Sequence, residues 1–202
     1  MKLKIILVTL LLLLVLRAFE LSFPKSGYSS ILTVMGEDLE RQKKIPQAIQ
    51  AFKAAIKHNP AYPPALFSLA ELYDAQGDWS KAEPLYHRLI NLGPNYQNIY
   101  QELQQSDVKK DSLFALSCYK IGIQYFNNEN YPLALEYLKR SVIFNGISVD
   151  ARYALAMAYL KTNDIPGAIE QSMALQNMQI YPPAKKIREQ IPNFEKYEYL
   201  LH

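Results

Sequence analysis

Apolar side chains recur every three to four residues through most of the chain, which is the spacing that places them on one face of an α-helix. Leu66, Leu69 and Leu72 form one such face, and Leu155 with Ala158 begins another. The pattern predicts an all-α protein with amphipathic helices from about residue 29 onward. The first 28 residues differ, because they contain an uncharged run and predict a separate hydrophobic helix.

Four alanines mark an internal repeat: Ala48, Ala82, Ala134 and Ala168 are separated by 34, 52 and 34 residues. A large residue stands three positions before each alanine and a very small one twelve positions before it. The large residues are Ile45, Trp79, Tyr131 and Ile165, and the small ones are Gly36, Ala70, Gly122 and Ala156. A fixed period of this length indicates a repeat architecture. The longer middle interval shows that 18 residues interrupt the period.

The turns inside these units carry helix-start signals. Pro46, Pro132 and Pro166 each lie two residues before a repeat alanine, where a first helical turn tolerates proline. Asp78 and Asp164 lie four residues before their alanines and are predicted N-caps of the second helices.

With these residues the chain resembles the tetratricopeptide repeat (TPR) family, whose 34-residue unit has a bulky–aliphatic–small–aromatic first helix and a closing proline. The predicted repeats are 29–62, 63–96, 115–148 and 149–182. The second matches best, with Leu66, Leu69, Ala70, Tyr73, Gly77, Trp79, Ala82, Tyr86 and Pro94. The later repeats depart from the family at Gly146, Ile180 and Ser172. The resemblance implies an α-solenoid that binds a peptide or a partner's helix in a concave groove.

In this family the first helix of each repeat lines the groove, which assigns candidate binding residues by position. The first two repeats would present Thr33, Glu37, Glu40, Phe67, Glu71 and Asp74, and the later two Tyr119, Ile123, Phe126, Tyr153, Met157 and Leu160. The first set is largely acidic and would repel the C-terminal carboxylate that chaperone-binding TPR domains clamp. A basic or apolar partner fits better. The alternative is that the C-terminal tail or a helix at 97–105 already covers the apolar part.

The N-terminal segment, residues 1–28, has two lysines followed by a run from Ile5 to Leu16 that is polar only at Thr9. It predicts a signal-anchor or transmembrane helix followed by a tether over 19–28, although twelve residues are short for a span. A cleaved signal peptide and a buried helix are the alternatives. There is no clear small-x-small cleavage site, and the nearest candidate pair, Leu16 and Ala18, is a poor one. Charge flanking the run favours an N-terminus inside and repeats on the extracytoplasmic side.

Two further segments complete the predicted organisation. Residues 97–114 form a linker or decayed repeat, in which Asp111 or Ser112 would cap the following helix. Residues 183–202 form a capping helix and a tail that is too apolar to remain fully solvated. The tail is therefore expected to dock, with the groove as one possible place.

Composition offers no catalytic or nucleic-acid-binding signal. The formal net charge is +3 and dispersed, so no nucleic-acid partner is expected. The single cysteine, Cys118, is expected to be a buried structural thiol. No histidine pair has metal-ligand spacing, and no nucleotide-binding or nucleophile motif occurs. We therefore expect no catalytic residues, cofactor, metal or small-molecule substrate.

The sequence thus predicts a membrane-tethered, non-catalytic scaffold or adaptor that binds a protein or peptide, in assembly of an envelope or membrane complex. A secreted or periplasmic TPR protein that self-assembles or acts like a chaperone is the main alternative, and a homo-oligomer is left open. An enzyme would require a carboxylate pair with perturbed pKa values, of which Glu37, Glu40, Glu71 and Asp74 are the candidates.

Overall fold

The computed structural model describes residues 25–92 and 107–201, and these are helical with no strand. Packing divides the chain into two units, one ending at Ala82 and one beginning at Glu83. The α-helices are α1 (Lys25–Arg41), α2 (Ile45–His58), α3 (Pro63–Ala75), α4 (Trp79–Asn91), α5 (Asp107–Asn127), α6 (Tyr131–Phe144), α7 (Val149–Lys161), α8 (Ile165–Asn177) and α9 (Tyr181–Glu189), followed by a 3-10 helix (Phe194–Leu201). The predicted all-α solenoid fold is confirmed.

In the first unit α1 packs against α2, and both contact α3. Gly36 of α1 makes the close approach possible, because a Cβ there would lie 2.5 Å from the Phe52 ring of α2. Phe52 and the repeat residue Ala48 are both fully buried. A serine also ties the two helices, since the Ser29 hydroxyl donates to the carbonyl oxygen of Ala55 at 2.9 Å.

The second unit repeats this arrangement through α5–α6 and α7–α8, with each helix packed on its neighbours in sequence. Gly122 of α5 faces fully buried Leu138 of α6, as Gly36 faces Phe52. A serine hydrogen bond again joins the two helices, but in the opposite direction: Ser141 of α6 donates to the carbonyl oxygen of Ala115 on α5 at 2.7 Å. One core cluster, which includes Leu138, Leu155 and Ile169, runs through the unit.

The turn inside each repeat uses a left-handed backbone conformation at one equivalent position. Lys43, Gly77, Glu129 and Asn163 have φ angles of 60°, 75°, 59° and 60°. Glycine adopts this conformation without steric cost, whereas other L-residues do so at a cost. The turn geometry is therefore preserved by repeat packing even where the local residue disfavours it.

Helix-start signals match the structure in most places. The Asp164 carboxylate accepts a hydrogen bond from the Gly167 N–H and caps α8, as predicted. Pro46, Pro132 and Pro166 each occupy the second position of a helix. Asn130 and Ser148 cap α6 and α7 in the same way as Asp164 caps α8.

Three predicted boundaries differ from the structure. Residues 25–28, assigned to the tether, belong to α1, where the Tyr28 ring lies 4.6 Å from that of His58 on α2. Asp111 and Ser112 lie inside α5 and do not cap it, because α5 already includes Asp107. Tyr181 begins α9, since its two following prolines fit a first helical turn. The predicted helix at 97–105 lies outside the described residues.

The C-terminal segment covers the last repeat. Ala184 and Ile187 of α9 are buried against the core cluster, and Phe194 and Tyr197 pack on the same cluster. Ser172, found where the family usually has an aromatic residue, is also buried and donates to the carbonyl oxygen of Ala184 at 3.1 Å. A small residue at this position therefore allows α9 to bond directly to α8.

No helix within residues 25–92 and 107–201 combines the length and the apolar character that crossing a membrane requires. The hydrophobic run from Ile5 to Leu16 lies outside the described residues, so the anchor remains a sequence prediction.

Candidate partner-binding cleft

A cleft of about 210 Å³ opens between α5 and α7 in the second unit. It is lined by apolar and aromatic side chains with two polar ones: Tyr119, Ile123, Phe126, Asn127, Asp150, Tyr153, Ala154 and Met157. The lining residues of α5 follow a spacing of four and three, and those of α7 a spacing of three and four. Each helix therefore presents one continuous face to the cleft. We call this set of residues the α5–α7 cleft.

The walls of the cleft are held by the core behind them. Tyr119, Ile123 and Tyr153 are half-buried and pack against the core cluster that contains Leu138 and Leu155. Phe126 is braced by an edge-on contact with Tyr131, whose ring centroid is 5.5 Å away. Because packed side chains lose rotamer freedom on folding, these walls are largely ordered before any ligand binds.

Asp150 gives one end of the cleft a negative charge. It is exposed and lies in the first turn of α7, where the helix dipole favours a carboxylate. Burial raises the pKa of Tyr119, and the Asp150 carboxylate raises it further. The cleft thus combines an apolar floor with an anionic edge, which suits an apolar side chain next to a cation.

Five of the six residues predicted for the later repeats are brought together here: Tyr119, Ile123, Phe126, Tyr153 and Met157. Leu160 is half-buried against the core cluster and does not line the cleft. Sequence reasoning missed Asn127, Asp150 and Ala154. Asp150 could have been found from its position one helical turn before Tyr153.

The C-terminal tail packs away from the cleft. The 3-10 helix contacts α8, and Phe194 also lies under the Arg188 guanidinium at 5.8 Å. No tail residue among those described lines the cleft. The described part of the tail therefore packs on the end of the last repeat and not in the α5–α7 cleft.

The candidate residues of the first unit are placed differently. Glu37, Glu40 and Glu71 are exposed, whereas Phe67 is only 8% exposed and Thr33 only 3%. Thr33 turns inward and donates to the carbonyl oxygen of Ser29 at 2.7 Å. Little of these two side chains is available to a partner.

The glutamates Glu37, Glu40 and Glu71 nevertheless lie close enough for their charges to affect one another. Partial burial raises the pKa of Glu40, and the charges of Glu71 and Glu37 raise it further. The carboxylates on α1 and α3 therefore add to one negative potential. This part of the first unit is acidic, as predicted from the sequence.

Other chemically reactive groups give little support to catalysis. Cys118 is fully buried, and burial raises the pKa of its thiol to about 11, so it stays protonated at neutral pH. Glu37, Glu40 and Glu71 are in water, while Asp74 is half-buried. Among the described residues, no three histidine, cysteine or acidic side chains are grouped to hold a metal ion.

Two sequence-family models match the chain. Both describe the tetratricopeptide repeat, one over residues 39–106 and the other over residues 119–177. Together they span more than half of the chain. The chain belongs to the tetratricopeptide repeat family. TPR proteins are generally non-catalytic scaffolds for protein–protein interaction, and membership supports a protein or peptide partner for this one.

Solved TPR structures share the fold. A TPR protein from Parabacteroides merdae has a TM-score of 0.56 and 20% identity, covering 80% of this chain and 58% of that one. MamA has a TM-score of 0.52 and 18% identity, covering 82% and 96%. YrrB, a TPR protein with an unusual peptide-binding site, has a TM-score of 0.51 and 12% identity, covering 84% and 88%. At these identities the likeness extends to the fold alone. No curated protein matches the sequence.

Proposed function

We propose that this TPR protein is a non-catalytic adaptor that captures a peptide segment of a partner protein in the α5–α7 cleft. The observation that carries the proposal is the convergence of Tyr119, Phe126 and Tyr153 on one open, mostly apolar cleft. Exposed apolar patches on a folded domain commonly mark interaction sites. The likeness to YrrB, which has a peptide-binding site, is consistent with this use of the fold.

The size of the cleft favours a peptide over a small molecule. Its volume of about 210 Å³ is below the roughly 300–1,000 Å³ of sites that enclose drug-sized ligands. One or two side chains of a peptide fit this space, while the rest of the peptide stays on the surface. Asp150 at the edge favours a lysine or arginine beside the apolar anchor.

The test begins with selection of peptides from a displayed random library on the full-length chain. The affinity of a selected peptide is then measured by fluorescence anisotropy for the wild-type chain and for Tyr153→Ala. Loss of a central aromatic contact typically costs about 2 kcal/mol, so binding should weaken about 30-fold. Asp150→Asn should weaken binding less and reduce its salt dependence.

Ile143→Ala is the matched control, because Ile143 is 78% exposed and lies outside the cleft. It should leave the affinity unchanged. A cooperative thermal melt for Tyr153→Ala must accompany its loss of binding. If the Tyr153→Ala chain simply unfolds, Tyr153 is a core residue and the assignment of the cleft fails.

We further propose that the N-terminal segment anchors this adaptor in a membrane, with the repeats on the extracytoplasmic side and the partner in an envelope or membrane complex. The support is the uncharged run from Ile5 to Leu16 behind two lysines. Carbonate washing of membranes and intact mass measurement test it. A chain of full mass that resists extraction supports the anchor, whereas a soluble chain lacking about twenty N-terminal residues contradicts it.

A further inference from the structure

The first repeat exposes a second apolar surface, on the outer side of α1, where four large apolar side chains are about half exposed. Tyr28, Ile31, Val34 and Met35 are 49%, 62%, 51% and 52% exposed. On a helical projection these four side chains fall within one arc of about 120°, which is centred opposite the buried Ser29 and Thr33 and does not include Glu37. We call this set the α1 face.

A shallow hollow lies beside the α1 face. Its volume is about 470 Å³, and its lining is almost entirely apolar: Leu32, Met35, Leu39, Pro46, Gln47, Gln50 and Ala51. Both helices of the first repeat therefore contribute to one outward apolar surface. A terminal repeat normally needs a polar or covered outer surface to stay soluble. The C-terminal repeat meets this need through α9 and the 3-10 helix, which cover its outer side. Among the described residues, no segment covers the outer side of the first repeat in the same way.

The exposed apolar character is confined to the part of α1 nearest the N-terminal segment. Beyond Met35, the exposed residues of α1 and the following turn are mostly charged: Glu37, Asp38, Glu40, Arg41, Lys43 and Lys44. Because a helix rises 1.5 Å per residue, Met35 lies about 15 Å along the axis from Lys25. The α1 face is therefore close in sequence to the hydrophobic N-terminal segment. The exposed side of α1 becomes polar with increasing distance from that segment.

A second copy of the chain is a poor occupant. The α1 face extends only about 10 Å along the helix, and together with the hollow beside it the apolar surface amounts to roughly a few hundred Å². A stable protein–protein interface needs about 800 Å² from each partner. A lipid surface has no such minimum, because amphipathic helices bind the headgroup boundary through a single apolar face.

We propose that the α1 face lies on the surface of the bilayer that holds the N-terminal segment, so that the first repeat is docked on lipid. This inference rests on the proposed membrane anchor. The apolar side chains enter the boundary between headgroups and acyl chains, to a depth of about 5–10 Å, while Glu37, which lies outside the apolar arc, stays in water. Docking fixes the orientation of the first unit on the membrane.

The test places a nitroxide spin label at one of two sites on the same helix in the full-length chain. Met35→Cys carries the label on the α1 face, and Glu37→Cys is the matched control two residues away on the other side. Native Cys118 does not interfere, since it is fully buried and its thiol stays protonated at neutral pH. The chains are reconstituted into phosphatidylcholine–phosphatidylglycerol vesicles. Collisions of the label with oxygen, which concentrates in lipid, and with a water-soluble nickel chelate are then measured.

The proposal predicts that oxygen dominates at position 35 and the nickel chelate at position 37. Dominance of the nickel chelate at both positions would show that the α1 face stays in water, which overturns the proposal. A label at 35 that is immobile and inaccessible to both reagents would place protein on the face, either the leader or a second copy, and also overturns it. Carbonate extraction of the same vesicles tests the anchor separately. A chain retained after extraction with a water-exposed α1 face contradicts the docking alone, whereas a chain lost on extraction contradicts both.

Discussion

Gly122 sets the distance between α5 and α6, and Gly122→Ala tests whether the glycine is needed for this packing. A Cβ at position 122 would lie 2.7 Å from Leu138 Cγ, 2.9 Å from Leu138 Cδ2 and 3.2 Å from the Leu138 backbone nitrogen. Non-bonded carbon atoms normally stay about 3.5–4.0 Å apart. Since Leu138 is fully buried, it has no open space to move into.

Two effects of opposite sign determine the expected change in the free energy of unfolding. Forcing a methyl group into a packed core costs about 1–3 kcal/mol. Replacing glycine by alanine inside a helix gains about 1 kcal/mol from helix propensity. We therefore expect Gly122→Ala to destabilise the second unit by up to about 2 kcal/mol.

Urea unfolding followed by circular dichroism measures this change, and the Leu138→Ala background separates the two effects. With Leu138 shortened, the contacts to Cγ and Cδ2 disappear, and Gly122→Ala should become neutral or stabilising. Ala156→Gly, at the equivalent position of the next repeat, is the control; it should lose about 1 kcal/mol from helix propensity and roughly another 1 kcal/mol from the buried methyl group that it removes. If Gly122→Ala instead stabilises the wild-type chain by about 1 kcal/mol, the glycine does not set the helix spacing and the packing argument is refuted.

Three smaller predictions concern a turn, a hydrogen bond and a charge. Glu129→Gly should stabilise the chain by up to about 1 kcal/mol in urea unfolding, because φ is 59° there; a loss of stability would contradict the turn argument. Ser141→Ala should cost about 1 kcal/mol, since it removes a buried hydroxyl that donates to Ala115; an unchanged midpoint would show that the bond contributes nothing. The raised pKa of Glu40 means that the folded state binds its proton more tightly than the unfolded state, so stability is lost as pH rises through the folded pKa. Glu40→Gln should therefore stabilise the chain by roughly a few tenths of a kcal/mol at pH 7, and this gain is small because the group is exposed. The gain should vanish in acid, where Glu40 is protonated. A gain that does not depend on pH would exclude the charge as its cause.

The sequence predicts the helical framework well because that framework depends on local periodicity. Ala48, Ala82, Ala134 and Ala168 are all fully buried, as a repeated close contact between helices requires. The small residues at 36 and 122 likewise face large side chains on the paired helix. These features depend on spacing along one helix–turn–helix unit, which a single sequence contains in full.

The sequence predicts less where the outcome depends on contacts between units of the repeat. Phe67 was assigned to the groove by register alone, and its burial depends on how neighbouring helices surround it. The composition of the C-terminal tail does not predict where the tail packs, since it could pack on any uncovered apolar surface. The left-handed turn residues Lys43 and Glu129 carry no local signal, because the repeat packing imposes a conformation that glycine or asparagine would adopt more readily.

Peptide binding in the α5–α7 cleft can be observed residue by residue. Nuclear magnetic resonance mapping of a selected peptide on the isotopically labelled full-length chain, in detergent micelles, makes this measurement. Binding in the cleft should give chemical-shift changes centred on Tyr119, Phe126 and Tyr153, with weaker changes at Asp150. Changes centred instead on the α1 face, or on the exposed Ile143 and Ile147 outside the cleft, would contradict it.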